Sequence, residues 1–453
     1  MANTSIRRTN SGNGNRKKWT VSWWEKKNKL GAVQRIFSCD EAGNNNHDDF
    51  FQWQTDDKLV IGFYDSGYYL NLTPDRNFRD TNGWYHFVFT WDTAQATASD
   101  RAKFYINGVR ETVFATETYP SQNQDSFINT TEPIEIGKRS DNDTQYLEST
   151  LSHIHFCDGY AYTPSDFGST DSTTGEWKIN TSPSVSYGTN GFFILKDGNS
   201  LTDESPNSNN WSSVSGTLTK TEDNPSNVFC TLNGNIPQAG GLNGRDGSAS
   251  TSLDNGNTTA GEGAAVFSNQ LGTIFASSGK YYAECKFGGD QYCSFGVASP
   301  NFSDASLGSY PGASITGVNT AGIYGNGGIA RVNGSTIFTD SNITTDTICL
   351  AMDLDNGALY IRRNDSAWMN SGNPESGATK TGAITLPSDT YTWVVTSHNN
   401  SGSGRNYMKV NFGNGYFGTT AVSSAGTNAS NNGIFEYNVP AGYTALSTKG
   451  LNL

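Results

Sequence analysis

Apolar side chains are scarce: hydrophobic residues make up 34% of the 453, below the share usual for a globular domain. That deficit excludes one large aliphatic core. No apolar run reaches the length of a membrane span, so membrane insertion is not expected. Basic residues are short too. Thirty Lys and Arg stand against 43 Asp and Glu, for a net charge of −13. Phosphate backbones demand clustered cations, so nucleic acid is excluded as a partner. The one basic cluster, Arg7, Arg8, Arg16, Lys17 and Lys18, reads as a solvated arm, with docking against an acidic neighbour as the other reading. The six cysteines, Cys39, Cys157, Cys230, Cys285, Cys293 and Cys349, contain no C-x-x-C pair, which argues against zinc. They read as small buried hydrophobes. No heptad repeat is present, which excludes oligomerisation through a coiled coil. The first twenty residues hold no apolar stretch of the kind an export signal needs, so synthesis in a cytoplasm without that route is expected.

Aromatic residues, by contrast, reach 12%, far more than a disordered chain carries, and glycine reaches 50 residues. Aromatic-rich cores with many polar turns point to an all-β chain. Trp19, Val21 and Trp23 alternate with polar neighbours in WTVSWWEK, as Phe87, Phe89 and Trp91 do in HFVFTWD. In KFYINGVRET, Asn107-Gly108 separates two strand-like runs, a strong hairpin signal because both turn residues must accept positive φ. Thr163-Pro164-Ser165-Asp166 reads as a capped helical turn. The fold class expected is two β-sandwich (jelly-roll) domains joined by a long Gly/Ser/Asn-rich linker. Residues 1–197 form the first sandwich, and GFFIL at 191–195 is its returning strand. Residues 198–262 are the linker, expected to run over a domain surface pinned by Trp211, Val228, Phe229 and Leu232. Residues 263–418 form the second sandwich. There Gly288 to Gln291 reads as a hairpin between KYYAECKF and YCSFGVAS, and Asp355-Asn356-Gly357 as the turn of another. The tail, 419–453, is expected to return to the second domain through Tyr437, Pro440, Tyr443 and Leu446.

Two stretches carry family resemblances. Trp84-Tyr85-His86, the Tyr105 to Gly108 hairpin and Ile136-Gly137 resemble the laminin-G/concanavalin-like fold over about residues 15–170. The opening strand Gly279 to Glu284, then Phe295 to Ala298, the Asp353, Asp355, Gly357 hairpin and Asn411 to Gly413 are similar to SPRY domains over about 272–418. The flanks SPNSNNW, NPSNVFCTLN and VPAGYTALSTKGLNL resemble segments that accompany such domains in phage virion or tail-fibre proteins. The resemblance implies a bacteriophage structural and recognition protein: a tail fibre, spike or capsid-surface decoration. Its partners would be other virion proteins and a host-surface glycan or protein, its location the virion, and its assembly a homo-oligomer, with a trimer expected.

Hydrolase chemistry finds little support. Concanavalin-like retaining enzymes carry Glu-x-Asp-x-x-Glu, and this chain has no Glu followed two residues later by Asp. Glu132 and Glu135 have the wrong spacing to share a strand face, and Pro133 marks their segment as a sheet edge. The chain therefore reads as a non-enzyme; a polysaccharide depolymerase and a purely architectural cement protein are the alternatives. For ligand binding the candidates are Tyr68, Tyr69 and Tyr310 as loop aromatics that could stack on sugar faces, Asp141, Asn142 and Asp143 as an acidic loop, and His153 and His155. These histidines lie two apart, on the outer or groove face opposite Ile154 and Phe156, where they suit a ligand or subunit contact better than a metal. The loops Asp40 to Asp49 and Ser140 to Thr144 offer the hard oxygens calcium takes, although Asp and Asn are also ordinary turn residues. No other cofactor is expected.

Overall fold

The computed structural model describes residues 3–40, 47–196, 198, 200–234, 251–263, 265, 267–302, 309–400 and 405–452. The chain divides into two compact units, Met1–Lys220 and Thr221–Leu453. Both are antiparallel sandwiches in which, among the described residues, helix is limited to stretches of three to six residues such as Pro164–Asp166.

In the first unit, an eight-stranded sheet runs in the order Phe114–Thr118, Tyr68–Pro74, Leu59–Asp65, His47–Trp53, Gln34–Asp40, Pro133–Ile136, Ser5–Thr9, Ser212–Ser215. A six-stranded sheet faces it: Phe192–Ile194, Ser149–Asp158, Lys18–Lys27, Tyr85–Asp92, Ala102–Ile106, Val109–Arg110. Alternation directs one side of every strand inward. There Trp19, Trp23, Phe51, Phe63, Phe87 and Phe89 meet as tilted and edge-to-face rings, for example Trp23 and Phe51 at 5.5 Å and 80°. Asn107 and Gly108, with φ of 47° and 82°, make the tight turn that the sequence predicts. His86 is buried between Trp24 and Trp177, at 4.7 and 5.9 Å. Trp177 Nε1 donates to His86 Nδ1 (2.9 Å), so Nε2 carries the proton and donates to Ser22 Oγ (2.8 Å). Burial pushes its pKa down to about 3.

The basic segment is not a solvated arm. Ser5–Thr9 is an inner strand between Pro133–Ile136 and Ser212–Ser215, and Arg7 pairs with the buried Glu135. Pro133–Ile136 is likewise an inner strand. Its proline is the first residue, where the missing N–H interrupts no ladder.

The second unit pairs a seven-stranded sheet, ordered Thr251–Asp254, Thr259–Glu262, Asn406–Asn411, Lys280–Lys286, Thr347–Asp353, Ala358–Arg363, Ile384–Thr385, with a six-stranded one, ordered Ser268–Leu271, Thr392–Ser397, Ser294–Ala298, Thr320–Tyr324, Ile329–Val332, Ser335–Phe338. Gly288 to Gln291 does not close a hairpin: Lys280–Lys286 and Ser294–Ala298 lie in different sheets, so the chain crosses the sandwich there. Turn residues fix local reversal but not which sheet the next strand joins. All six thiols are buried and unpaired.

The segment read as a linker is divided between the units at Lys220. Trp211 enters the first core against Phe192 (4.9 Å), and Ser212–Ser215 extends the first sheet. Phe229 and Leu232 are buried in the second unit, where Thr251–Asp254 and Thr259–Glu262 form a sheet edge. Residues 235–250 of that segment lie outside the described residues.

The tail lies on the outer face of the seven-stranded sheet. Phe435, Val439 and Tyr443 cover Tyr282, Cys349 and Tyr360. The buried Glu284 fixes this layer: it accepts from Glu436 N and Tyr437 N (both 2.9 Å), from Tyr282 Oη (3.1 Å) and from Asn411 Nδ2 (3.0 Å). Two backbone N–H groups would lose their acceptor without it. Glu284→Ala should therefore cost about 3 kcal/mol or more in urea unfolding of the second unit. Glu284→Gln, which keeps one acceptor oxygen, should cost less; equal losses would count against this role.

Candidate functional site

The inner residues of Gln34–Asp40, His47–Trp53 and Leu59–Asp65 include Phe37, Cys39, Phe51, Trp53, Ile61 and Phe63. Their alternates form cross-strand rows on the opposite, outer face of the eight-stranded sheet. One row reads Tyr68, Tyr64, Asp48, Asp40, since each is the register partner of the next. The adjoining row reads Asn71, Gly62, Phe50, Ser38, Glu135, Arg7.

Arg35 organises the centre. Its guanidinium grips Asp48 in a two-pronged pair, Nη1 to Oδ1 at 2.8 Å and Nη2 to Oδ2 at 2.7 Å. It also lies 3.9 Å from the Phe50 ring centroid, and its Nε donates to Gln145 Oε1 at 2.9 Å. Phe50 lies flat over Gly62, where any Cβ would meet the ring at 2.5 Å. Tyr68 stands edge-on to Tyr64 (5.2 Å, 77°) and to Phe50 (6.5 Å, 70°). With 49% of its surface exposed, Tyr68 is the open end of this aromatic step.

Asp40 and Asp48 face each other across two strands. Burial pushes Asp48 up to about 7 against its Arg35 partner. Although burial acts on Asp40 in the same sense, hydrogen bonds from Asp48, Ser140 and Ser38 hold it below the usual carboxylate range. One proton is thus shared by the pair near neutrality. Ser140 Oγ (2.6 Å) and Ser38 Oγ (2.9 Å) both donate to Asp40 Oδ2.

The sequence candidates separate in this geometry. Tyr68 is on the outer face, and both it and Tyr69 belong to a strand rather than a loop. Tyr69 turns inward and donates to the buried Asp49 at 2.5 Å, a carboxylate that also accepts from Phe127 N and Ile128 N. Asp143 pairs with Lys138 (2.6 Å), Asp141 with Arg139 (2.7 Å), and Asn142 accepts from Thr144 Oγ1. The calcium reading does not fit these groups. Asp40, Asp48, Asp49, Asp141 and Asp143 are each already engaged by a cation or by several donors; residues 41–46 of that loop lie outside the described residues.

His153 and His155 are not on an open surface; they are 5% and 2% exposed. Val185, Tyr187, Tyr162 and Phe167 cover that side of the six-stranded sheet. His155 is stacked on Phe193 at 3.9 Å and bonded to Tyr187 Oη at 2.9 Å, and burial holds its pKa well below the ordinary value. A bulge with positive φ at His153 breaks the alternation assumed for the pair. Tyr310 belongs to the second unit. Arg35, Phe50 and Tyr64 escaped the sequence reading; period-two placement was the available signal for Phe50 and Tyr64, whereas a bulge between Arg35 and Phe37 breaks the alternation that would have located Arg35.

Residues 2–166 match the concanavalin A-like lectin/glucanases superfamily. The match falls within the first unit and covers the strands that carry the outer-face rows. Among curated proteins none matches the sequence. Solved structures similar to the chain include the SPRY domain of human HERC1, at 15% identity and TM-score 0.27, covering 35% of this chain and 91% of that one. A heptameric SAP-like pentraxin from Limulus polyphemus has 16% identity and TM-score 0.29, with 48% and 89% covered. Domain 4 of AbnA, an extracellular GH43 arabinanase from Geobacillus stearothermophilus solved with arabinotriose, has 19% identity and TM-score 0.25, with 33% and 65% covered.

The first unit yields a pH signature. Because the folded pKa of Asp48 is raised from 3.8 to about 7, its stabilising contribution is complete in acid and lost as pH rises through about 7. Between about pH 5 and about pH 8 the native protein should lose roughly 1–3 kcal/mol that Asp48→Asn does not lose. Parallel stability curves for the two proteins would contradict the shared proton.

Proposed function

We propose that this chain is a non-enzymatic recognition protein of a bacteriophage particle, with the outer face of the eight-stranded sheet as its glycan-binding surface. The observation that carries the binding reading is the exposed Tyr68 ring, set edge-on to Tyr64 and Phe50 beside the fixed Arg35–Asp48 pair. Sugars combine apolar C–H faces with hydroxyls in fixed directions. Aromatic rings next to immobilised polar groups suit both features. The superfamily match over residues 2–166 supports the same reading.

Binding rather than cleavage is favoured by the Asp40–Asp48 carboxylate pair of this face. Glycosidic hydrolysis needs two carboxyl groups about 5 Å or more apart, flanking the scissile bond. Asp40 and Asp48 instead hydrogen-bond to each other, and Arg35 fixes the second. The virion position, as tail fibre, spike or capsid decoration with other virion proteins as neighbours, rests on the phage-like flanking segments. A homotrimer is the proposed assembly.

On a glycan array the full chain should bind a defined set of sugars. Tyr68→Ala should weaken the best of them about tenfold without shifting Tm, consistent with about 1.4 kcal/mol for one stacking ring. Incubation should leave polymer length unchanged, since shortening would favour a depolymerase. Unaltered affinity in Tyr68→Ala would remove the sheet-face site, and absence of the chain from purified particles by mass spectrometry would remove the virion assignment.

A further inference from the structure

The second unit carries a group of rings outside its core. On the outer face of its six-stranded sheet, Gly296 and Gly322 stand opposite one another, and Pro311 lies over both. A Cβ on either glycine would meet Pro311 Cβ, at 2.8 and 3.0 Å. Asn269 Nδ2 donates to the Ser309 carbonyl (2.9 Å), and Gly312 N donates to Thr320 Oγ1 (3.1 Å). The seated loop sets Tyr310 against Tyr324 (4.8 Å) and Phe267 (5.8 Å), while Tyr292 reaches Tyr324 at 6.1 Å. All four rings stay half-buried. Beneath them His398 is buried, 5.0 Å from Phe267 and 4.8 Å from Tyr292. Its Nδ1 lies 3.3 Å from Asp290 Oδ1 yet makes no well-directed hydrogen bond.

Arg331 closes the rim. Its Nη1 donates to Tyr310 Oη and its guanidinium lies 5.8 Å from the Tyr310 ring centroid. Among the described residues it forms no ion pair. Asp290, the nearby acid, is occupied by Tyr292 N (2.8 Å) and Asn400 N (2.6 Å). Arg331 thus sets a guanidinium, without a carboxylate among the described residues, against the Tyr310 ring in a chain of net charge −13.

We propose that this cradle binds an acidic sugar unit, its apolar face on the tyrosines and its carboxylate on Arg331. Guanidinium matches a planar carboxylate with two parallel N–H groups, and rings take the C–H face. This site stands apart from the sheet-face site of the first unit and does not depend on it.

The test uses the full chain carrying Tyr68→Ala, which leaves the cradle as the only aromatic platform argued for. Isothermal titration compares a panel of galacturonate, glucuronate and sialylated oligosaccharides with their methyl esters. At least one acid should bind, and its ester about tenfold or more weaker, as expected for a charge-assisted contact. Arg331→Gln should abolish the preference for the acid, and Tyr310→Ala should lower binding of both forms. Arg331 belongs to the half-buried strand Ile329–Val332 near the sheet edge, so its variant remains informative even if Tyr310→Ala fails to fold. No binding by any acid, equal binding of acid and ester, or a preference that survives Arg331→Gln would each overturn the proposal. Loss of glycan binding by Tyr68→Ala alone bears on the first unit and leaves this result readable.

Discussion

A strand in a two-layer sandwich sends half its side chains into the core and half to a face the partner sheet cannot cover. The organisation of this chain follows from how its four outer faces are treated. In the first unit, residues 160–187 cover the six-stranded sheet and bury His155. In the second, the tail covers the seven-stranded sheet, and a loop seated on Gly296 and Gly322 covers part of the six-stranded one. The eight-stranded sheet of the first unit is instead dressed by its own side chains, Arg35, Asp48, Phe50 and Tyr68 among them. That is where an exposed ring, Tyr68, stands beside fixed but buried polar groups.

Each covering layer brings backbone donors onto a sheet and therefore needs buried acceptors. Glu284 serves the tail, its carboxylate taking four donors while burial raises its pKa to about 7. Asp49 plays the equivalent part for Phe127 and Ile128. The described acids of the first unit that suggested calcium from sequence are used in the same manner, as acceptors and ion-pair partners within the fold. A net negative charge in this chain thus reflects internal wiring as well as surface.

The aromatic platforms of the two units share one construction. A ring is laid over a glycine on the outer face, as Phe50 over Gly62, or a loop is seated on a glycine pair so that Tyr310 meets Tyr324. Glycine removes the side chain that would lift the covering group off the sheet. An arginine then locks the arrangement, Arg35 over Phe50 and Arg331 beside Tyr310. The difference is the partner: Arg35 holds the carboxylate of Asp48, whereas Arg331 donates to the hydroxyls of Tyr310 and Thr336.

Local chemistry was legible in the sequence because it depends on neighbours. The alternation of Trp19, Val21 and Trp23 fixed an inward face, and Asn107-Gly108 fixed a tight turn, since few other residues accept positive φ twice in succession. The all-β sandwich class followed from such runs. Tertiary structure alone decided which sheet each strand joins, so that Gly288 to Gln291 crosses the sandwich and the segment carrying Arg7 and Arg8 becomes an inner strand. It alone decided which outer faces are covered, burying His153 and His155 and leaving Tyr68 open. Alternation distinguishes two sides of a strand, but whether the outer side meets water depends on chain tens to hundreds of residues away, and that information is carried by no local pattern.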